Sequence, residues 1–420
     1  MEKDPCFMNN NATRNRPLTT RYEPEITIGP DDGDIRGDDD KALQAGMEYL
    51  HRMGGGLLHL LPGEYTMHNA LYLRPHVTIR GAGPGTVLKK SASCVTRLAQ
   101  DADWYEACIH VEHTEGFKVG GGIMLRSYPS GGESPVDVVK DTVTAIDGQV
   151  ISLTRRMEKN MWLAHNATAA SVFPIITAER VDDVTIENLV LDGNRDENEE
   201  INGNYAGAVF IQYCNNYTFR NVIARHYNGD GFSFQVCDDI HLEGCKAENN
   251  ANLGFHPGSG SQRPVFARCE SRGNSQGIFF CWGVSDGLVD ACRLTDNHDF
   301  GLSIGHRDTD TRIINSLIEN NARGGILFRD EGKRVFLAGH RTSIESSIIR
   351  DNGFAAEGAG VDIRGEVHDT IIRHNRLEDS GQAKQKIGIR IRGNMDRTHI
   401  EDNTFIGLED DIQSEGNLSF

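Results

Sequence analysis

Long apolar runs are missing from this chain. No stretch of roughly 18 apolar residues occurs in it, which excludes a spanning helix. Aromatic residues make up only 7%, and the 12 prolines are few for 420 residues. Basic residues are outnumbered 43 to 61, leaving a net charge of −18, so the broad cationic face that nucleic-acid phosphates demand is not expected. The opening MEKDPCFMNNNATRNRP lacks a charged-then-apolar signal segment, so the chain as given is expected in the cytoplasm, or outside the cell if a leader has been removed. None of the nine cysteines forms a CxxC pair or a Cys/His zinc spacing, and their odd number fits a reducing compartment. What the chain does have is glycine, 46 residues of it, with an ordinary charged fraction of 25% that argues against global disorder.

The glycines are periodic. A small residue followed by an apolar-polar alternation recurs at Ala208, Gly231, Gly254, Gly277, Gly301, Gly325, Gly360 and Gly388, at intervals of 23, 23, 23, 24, 24, 35 and 28. The first and third residues after each anchor are almost all apolar (Val209/Ile211, Phe232/Phe234, Ile278/Phe280, Leu302/Ile304), so one face of each strand is directed at a core. A second run of strand starts keeps the same period at Ile186, Phe219, Leu242, Phe266, Val289 and Ile313. Asn194, Asn250, Asn274, Asn297, Asn321 and Asn352 close several of these segments, where asparagine suits a left-handed bend and can bond the next coil. Cys245, Cys269 and Cys292 share one column with Ser316, Ser347, Asn375 and Asn403, which reads as buried packing rather than reactive thiols. Twenty-three residues are too few for a βαβ unit but suit one coil of a parallel β-helix, rising about 4.8 Å per coil.

Stacked coils need end caps. DDDKALQAGMEYLHRMGGG (Asp38–Gly56) predicts an amphipathic helix with Ala42, Ala45, Met47, Leu50 and Met53 on one side. Residues 97–172 break the period, and Asp147-Gly148 between two alternating strands predicts a hairpin there. The expected organisation is an N-terminal arm, capping helix and first coils over 1–96, a small β-rich insert over 97–172, and the main helix over 173–420. The succession GPDDGDIRGDDDKALQAGMEYLHRMGGGLLHLLPGEY, then a strand, then Gly81–Gly83, resembles the opening of the pectate-lyase (pectin-lyase-like) superfamily. That resemblance implies an all-β, right-handed parallel β-helix, the fold of many polysaccharide lyases, polygalacturonases, mannuronan epimerases and tailspikes.

Residues two, four and five places after each anchor are expected to face solvent. They bring Trp282, His306 and Asp330 onto consecutive coils, with Arg307 and Asp308 just beyond. Trp282 suits stacking on a sugar ring. Arg329, Arg364, Arg390 and Arg392 form a basic strip able to hold a carboxylate, or else a solvated face of paired charges; Gln235 and Asp362 share this side. His256 lies in LGFHPGSGSQ, which is similar to the Tyr-Gly-Phe-Asp-Pro-His signature of mannuronan C5-epimerases, with Leu253, His256 and Gly258 replacing Tyr, Asp and His. Asn228–Gly231 (NGDG) and Arg390–Arg392 (RIR) resemble polygalacturonase segments, but the paired aspartates expected one coil after NGDG are absent; Asp238-Asp239 sit on a connecting turn.

Three functions follow. A polysaccharide lyase on a uronate-containing or acidic glycan would use His256 or His306 as base, Arg329 as neutraliser, and Asp230 or Asp330 to orient or to bind Ca²⁺. A glycoside hydrolase or transglycosidase would use two of Asp230, Asp308, Asp330 and Asp362. A non-catalytic glycan-binding β-helix is the third. The expected partner is an oligo- or polysaccharide, with no nucleic acid, no membrane and, apart from the Ca²⁺ option, no cofactor. Homo-oligomers are open. The long segments after Gly325 and Gly360, with DEGKRVFLAGHRT and GQAKQK, are expected to wall a groove.

Overall fold

The computed structural model describes residues 23–128, 137–330, 338–356, 358–381 and 384–416. Cys6 and the centres of the two groove-wall segments, 331–337 and 382–383, lie outside them. Eleven parallel strands form one wall of a solenoid, from Leu71–Tyr72 and Ile176–Glu179 through Gly207–Gln212, Asp230–Gln235, Leu253–Pro257, Gln276–Phe279 and Phe300–Ile304 to Asp410–Ser414. Val209, Phe232, Phe255, Ile278, Leu302, Ile326, Val361 and Ile389 stand in register along it, so the anchor period is the coil period. Glycine fills seven of the eight anchors because the coils approach there: a Cβ on Gly277 would lie 2.2 Å from the Gly301 carbonyl oxygen.

A 22-stranded parallel sheet supplies the other walls. Early coils cross it as one long strand such as Asn215–Arg225; later coils break into two short strands at a bend. Left-handed residues mark that bend, Arg268, Ala291, Asn315 and Ser346. The residues after them, Cys269, Cys292, Ser316 and Ser347, turn inward and are buried, and every described cysteine is a free thiol.

The asparagine column works differently from the expectation. The left-handed residue is the one before each asparagine: Asn249, Gly273, Asp296, Asn320 and Asp351. Asn250, Asn274, Asn297, Asn321 and Asn352 are buried, and each side-chain carbonyl accepts the backbone N–H of its counterpart one coil back, with Tyr227 preceding Asn250. Gln385 continues the ladder by accepting from Asn352. Asn194 is outside it, itself left-handed and bonded locally, to Asp192, Glu197 and Asn198.

The helix spans Asp40–Arg52, with Asp39 accepting from the Lys41 and Ala42 amides. Its buried face is Leu43, Gly46, Met47 and Leu50, one step round from the expected face; Met53 is exposed. Gly46 permits that rotation, since a Cβ there would meet Leu58 and Ile28. Six antiparallel strands between Val95–Arg97 and Thr168–Ala170 form a separate sheet with its own apolar cluster around Ile109, Val143 and Ile151. Its Asp137–Asp147 and Val150–Leu153 strands make the hairpin over Gly148. Among the described residues no helix is long and apolar enough to cross a membrane.

One expectation fails on the outer side of the eleven-stranded wall. Residues two and four after the anchor do point away from the core, yet Phe210, Ser233, Gln235, His256, Ser303, Asp362 and Arg390 are buried. Other chain crosses them: the Gly203 carbonyl accepts from Ser233, and Lys140 of the antiparallel sheet sits over the Phe210 ring. Alternation gives a side chain's direction, not what lies over it.

Candidate functional site

The most exposed part of the expected site lies where each strand of the eleven-stranded wall turns away. Trp282 and His306 occupy this position on neighbouring coils, both in the left-handed region. Their rings stack 4.0 Å apart at 23°, and Trp282 is 52% exposed. A tryptophan held at φ 65° is a disfavoured conformation, tolerated where the surroundings over-determine it. Asp330 follows one coil on and is exposed, as is Arg307. Trp282, His306 and Asp330 therefore share one ridge.

Asp308 explains how the ridge is held. It is 0% exposed. One carboxylate oxygen accepts from the Gly283 and Val284 amides, behind Trp282; the other accepts from the Gly305 amide, in front of His306, and from Arg329 at 3.0 Å. Burial pushes its carboxyl up, against the Arg329 charge and these N–H groups, which favour the anion. Asp308 is thus a buried tie between two turns, not an exposed catalytic acid. Arg329 is bound as well, donating to the Ser303 hydroxyl and the Phe280 carbonyl while its guanidinium lies 4.3 Å over the Phe279 ring.

Phe279 joins this cluster to a second. Its ring meets the His256 imidazole edge to face at 5.8 Å. His256 Nδ1 is 2.7 Å from Asp230, whose other oxygen accepts from the Leu253 amide. His256 is only 4% exposed, and its Nε2 is buried without a hydrogen-bond partner. Burial disfavours the imidazolium, but the Asp230 carboxylate outweighs it, with a smaller contribution from Cys281, and the imidazole is raised to about 9. The outward position of His256 predicts exposure; instead it forms with Asp230, a candidate catalytic or orienting carboxylate, a buried charged pair beneath the ridge. A Cβ on Gly203 would strike the Asp230 carboxylate, so this glycine lets residues 201–206 close over it.

The remaining assignments divide. Gln235 is buried, donating to Ser233 and accepting from the Ser259 amide. Asp362 is buried between Arg364 and Arg392, at 2.9 and 3.3 Å, and Arg390 is buried against Gln413. The basic strip is therefore an ion-pair network and not an open anion surface; carboxylates on the same face had to be counted with the arginines. Both Asp230 oxygens are hydrogen-bonded, and among the described residues no three His, Cys, Asp or Glu side chains converge. Phe279, Ser303 and Cys281 belong to the cluster but were not singled out; the signal was there, in their outward positions beside His256 and Arg329.

With this geometry in hand, comparison with known proteins identifies the class. A family model described as a right-handed β-helix region matches residues 175–356, the most regular coils. The A-modules of the mannuronan C-5 epimerases AlgE6 and AlgE4 of Azotobacter vinelandii are similar in structure. AlgE6 matches with TM-score 0.59 and 17% identity, over 93% of this chain and 97% of the module. For AlgE4 the values are 0.57 and 17%, over 94% and 99%. PfbA, a surface adhesin of Streptococcus pneumoniae, matches with TM-score 0.55 and 11% identity over 92% and 93%. No curated protein matches in sequence. The chain folds as a right-handed parallel β-helix.

Proposed function

We propose that the protein is carbohydrate-active and acts as a polysaccharide lyase on a uronate-containing or otherwise acidic glycan. The observation that carries this reading is the exposed Trp282–His306 stack tied through Asp308 to Arg329. Trp282 offers an apolar face to a sugar ring. His306, at the surface beside it, takes the proton from the carbon next to the uronate carboxylate; that electron pair forms a carbon–carbon double bond, the glycosidic C–O bond breaks, and the leaving oxygen gains a proton. Arg329, tied to the ridge through Asp308, favours the charge that develops on the substrate carboxylate. The A-modules of similar fold belong to mannuronan C-5 epimerases, which puts polysaccharides first among substrates to try.

Hydrolysis by paired carboxylates is less well supported. It needs two carboxyl groups about 5–10 Å apart and available to the scissile bond. Asp230, Asp308 and Asp362 are each buried against a cationic partner. Incubation with a panel of uronate polymers, read by ultraviolet absorbance, is expected to give unsaturated ends. Trp282→Gly, which relieves a left-handed tryptophan, is expected to stay within about 1 kcal/mol of wild-type stability while losing most of that activity. New reducing ends without unsaturation would instead favour hydrolysis, and binding without turnover would favour a non-catalytic role.

A further inference from the structure

A second feature lies at the N-terminal end of the eleven-stranded wall. Between its first coils and the antiparallel sheet is a cleft of about 410 Å³, the size of a small-molecule site. Lys140 and Arg155 reach it from the hairpin sheet, Tyr72 and Gln212 from the coils, and Thr142 and Thr154 add hydroxyls.

The charges in this cleft are unbalanced. The described partners of the Lys140 ammonium are the Tyr205 carbonyl at 2.8 Å and the Phe210 ring at 4.0 Å, both uncharged. Burial pushes Lys140 down to about 8; Glu179 opposes that shift and the nearby Arg155 charge adds to it. Arg155 itself has only an exposed 3.7 Å contact with Glu158 and a bond to the Lys140 carbonyl. Asp141 and Glu179 also line the cleft, Asp141 accepting from the Thr142 amide, the Thr154 hydroxyl and the Arg155 amide and Glu179 pairing with Arg180, so that with Arg74 three cations face two carboxylates. Two neighbouring cations, one of them desolvated, are a site for an anion.

We infer that this cleft binds one carboxylate-bearing sugar unit, its carboxylate between Lys140 and Arg155 and its hydroxyls among Thr142, Thr154 and Gln212. A free sugar acid and the terminal unit of a chain share this chemistry. The site is separate from the Trp282–His306 ridge: residues 201–206 lie between, with the Tyr205 carbonyl holding Lys140 on one side and Gly203 closing on Asp230 on the other. The inference therefore does not rest on the elimination reading.

Calorimetric titration of the full chain tests it, using glucuronate and galacturonate, glucose and galactose as neutral controls, and a uronate hexasaccharide. The sugar acids are expected to bind at least about tenfold more tightly than the neutral sugars. Lys140→Met and Arg155→Gln are each expected to lower that affinity about tenfold, and Asn194→Ala, outside the cleft, to leave it unchanged. Arg155 is exposed on the hairpin, so its variant keeps the test valid if Lys140→Met fails to fold. The groups facing Lys140 are Tyr72, Arg74, Asp141, Arg155 and Glu179. With Lys140 as the group losing charge, affinity falls as pH rises through about 8, and Lys140→Arg holds it to higher pH. Monosaccharide binding equal to that of the hexasaccharide supports a free sugar acid; much tighter hexasaccharide binding, lost in the same two variants, supports a chain end. Equal affinity for acid and neutral sugars, wild-type affinity in both variants, no binding at all, or loss in Asn194→Ala instead would each overturn the assignment.

Discussion

At the scale of single residues, the His256 imidazole is caught between burial, which favours its neutral form, and the Asp230 carboxylate at 2.7 Å, which favours the cation. The carboxylate wins, and the group is raised from 6.5 to about 9. Its contribution to stability is therefore fully present below about 6.5 and is lost as pH rises through about 9. The amount is on the order of 3 kcal/mol. Urea denaturation between those limits should show the midpoint falling with pH, and NMR should follow one histidine titrating near the upper limit. In Asp230→Asn burial is less opposed, so that histidine should titrate well below the wild-type value and the slope in stability should flatten. A histidine with no upward shift in the wild type would refute the pairing. Spacing made Trp282, His306 and Asp330 legible in the sequence, because each is the fifth residue after its anchor. It could not show that Asp308 is consumed by three amides and an arginine, since those bonds depend on how two turns fold toward each other.

At the scale of elements, the coil repeats a small set of devices, and the internal ladder is the most consequential. Asn297 accepts from the Asn274 amide and donates to the Ser271 carbonyl and to Asn321, all buried. Asn297→Ala strands these partners and should cost about 2–4 kcal/mol. Asn194→Ala, outside the ladder and bonded to Glu197, should cost under about 1 kcal/mol. Urea midpoints of the two variants check this, and equal losses would contradict a ladder confined to the interior. The period made the column visible in the sequence. The role was only half legible, because the composition of a bend does not say which of two adjacent residues adopts the left-handed backbone and which turns inward. The outer face of the eleven-stranded wall shows the same limit: alternation set the direction of Gln235 and His256 correctly, but residues 201–206 and the hairpin strand bearing Lys140 come from distant parts of the chain.

For the whole molecule, two apolar clusters meet along one boundary. The solenoid core runs from Ile28 to Met395, while Ile109, Ile123, Leu125, Val143 and Ile151 form the cluster of the antiparallel sheet. Met124 and Ala170 sit on the same strands as that second cluster yet belong to the solenoid core, so the sheet is moored through one face only. Stability in a solenoid is a sum of coil and nearest-neighbour terms, and a unit moored on one side can open without unravelling the stack. Ile151 is fully buried at the centre of the smaller cluster. Ile151→Ala should cost about 2–5 kcal/mol, borne locally. Hydrogen exchange should then quicken across Val95–Ala170, while the strands from Gly207 to Ile391 keep their protection. The sugar-acid binding proposed for the Lys140–Arg155 cleft should be lost, because its outer wall is the hairpin, whereas the elimination proposed at Trp282 and His306 should persist on coils that do not touch Ile151. Uniform loss of protection over both regions would mean that the insert and the solenoid fold as one cooperative unit, with the cleft as integral to the ridge as the coils beneath it.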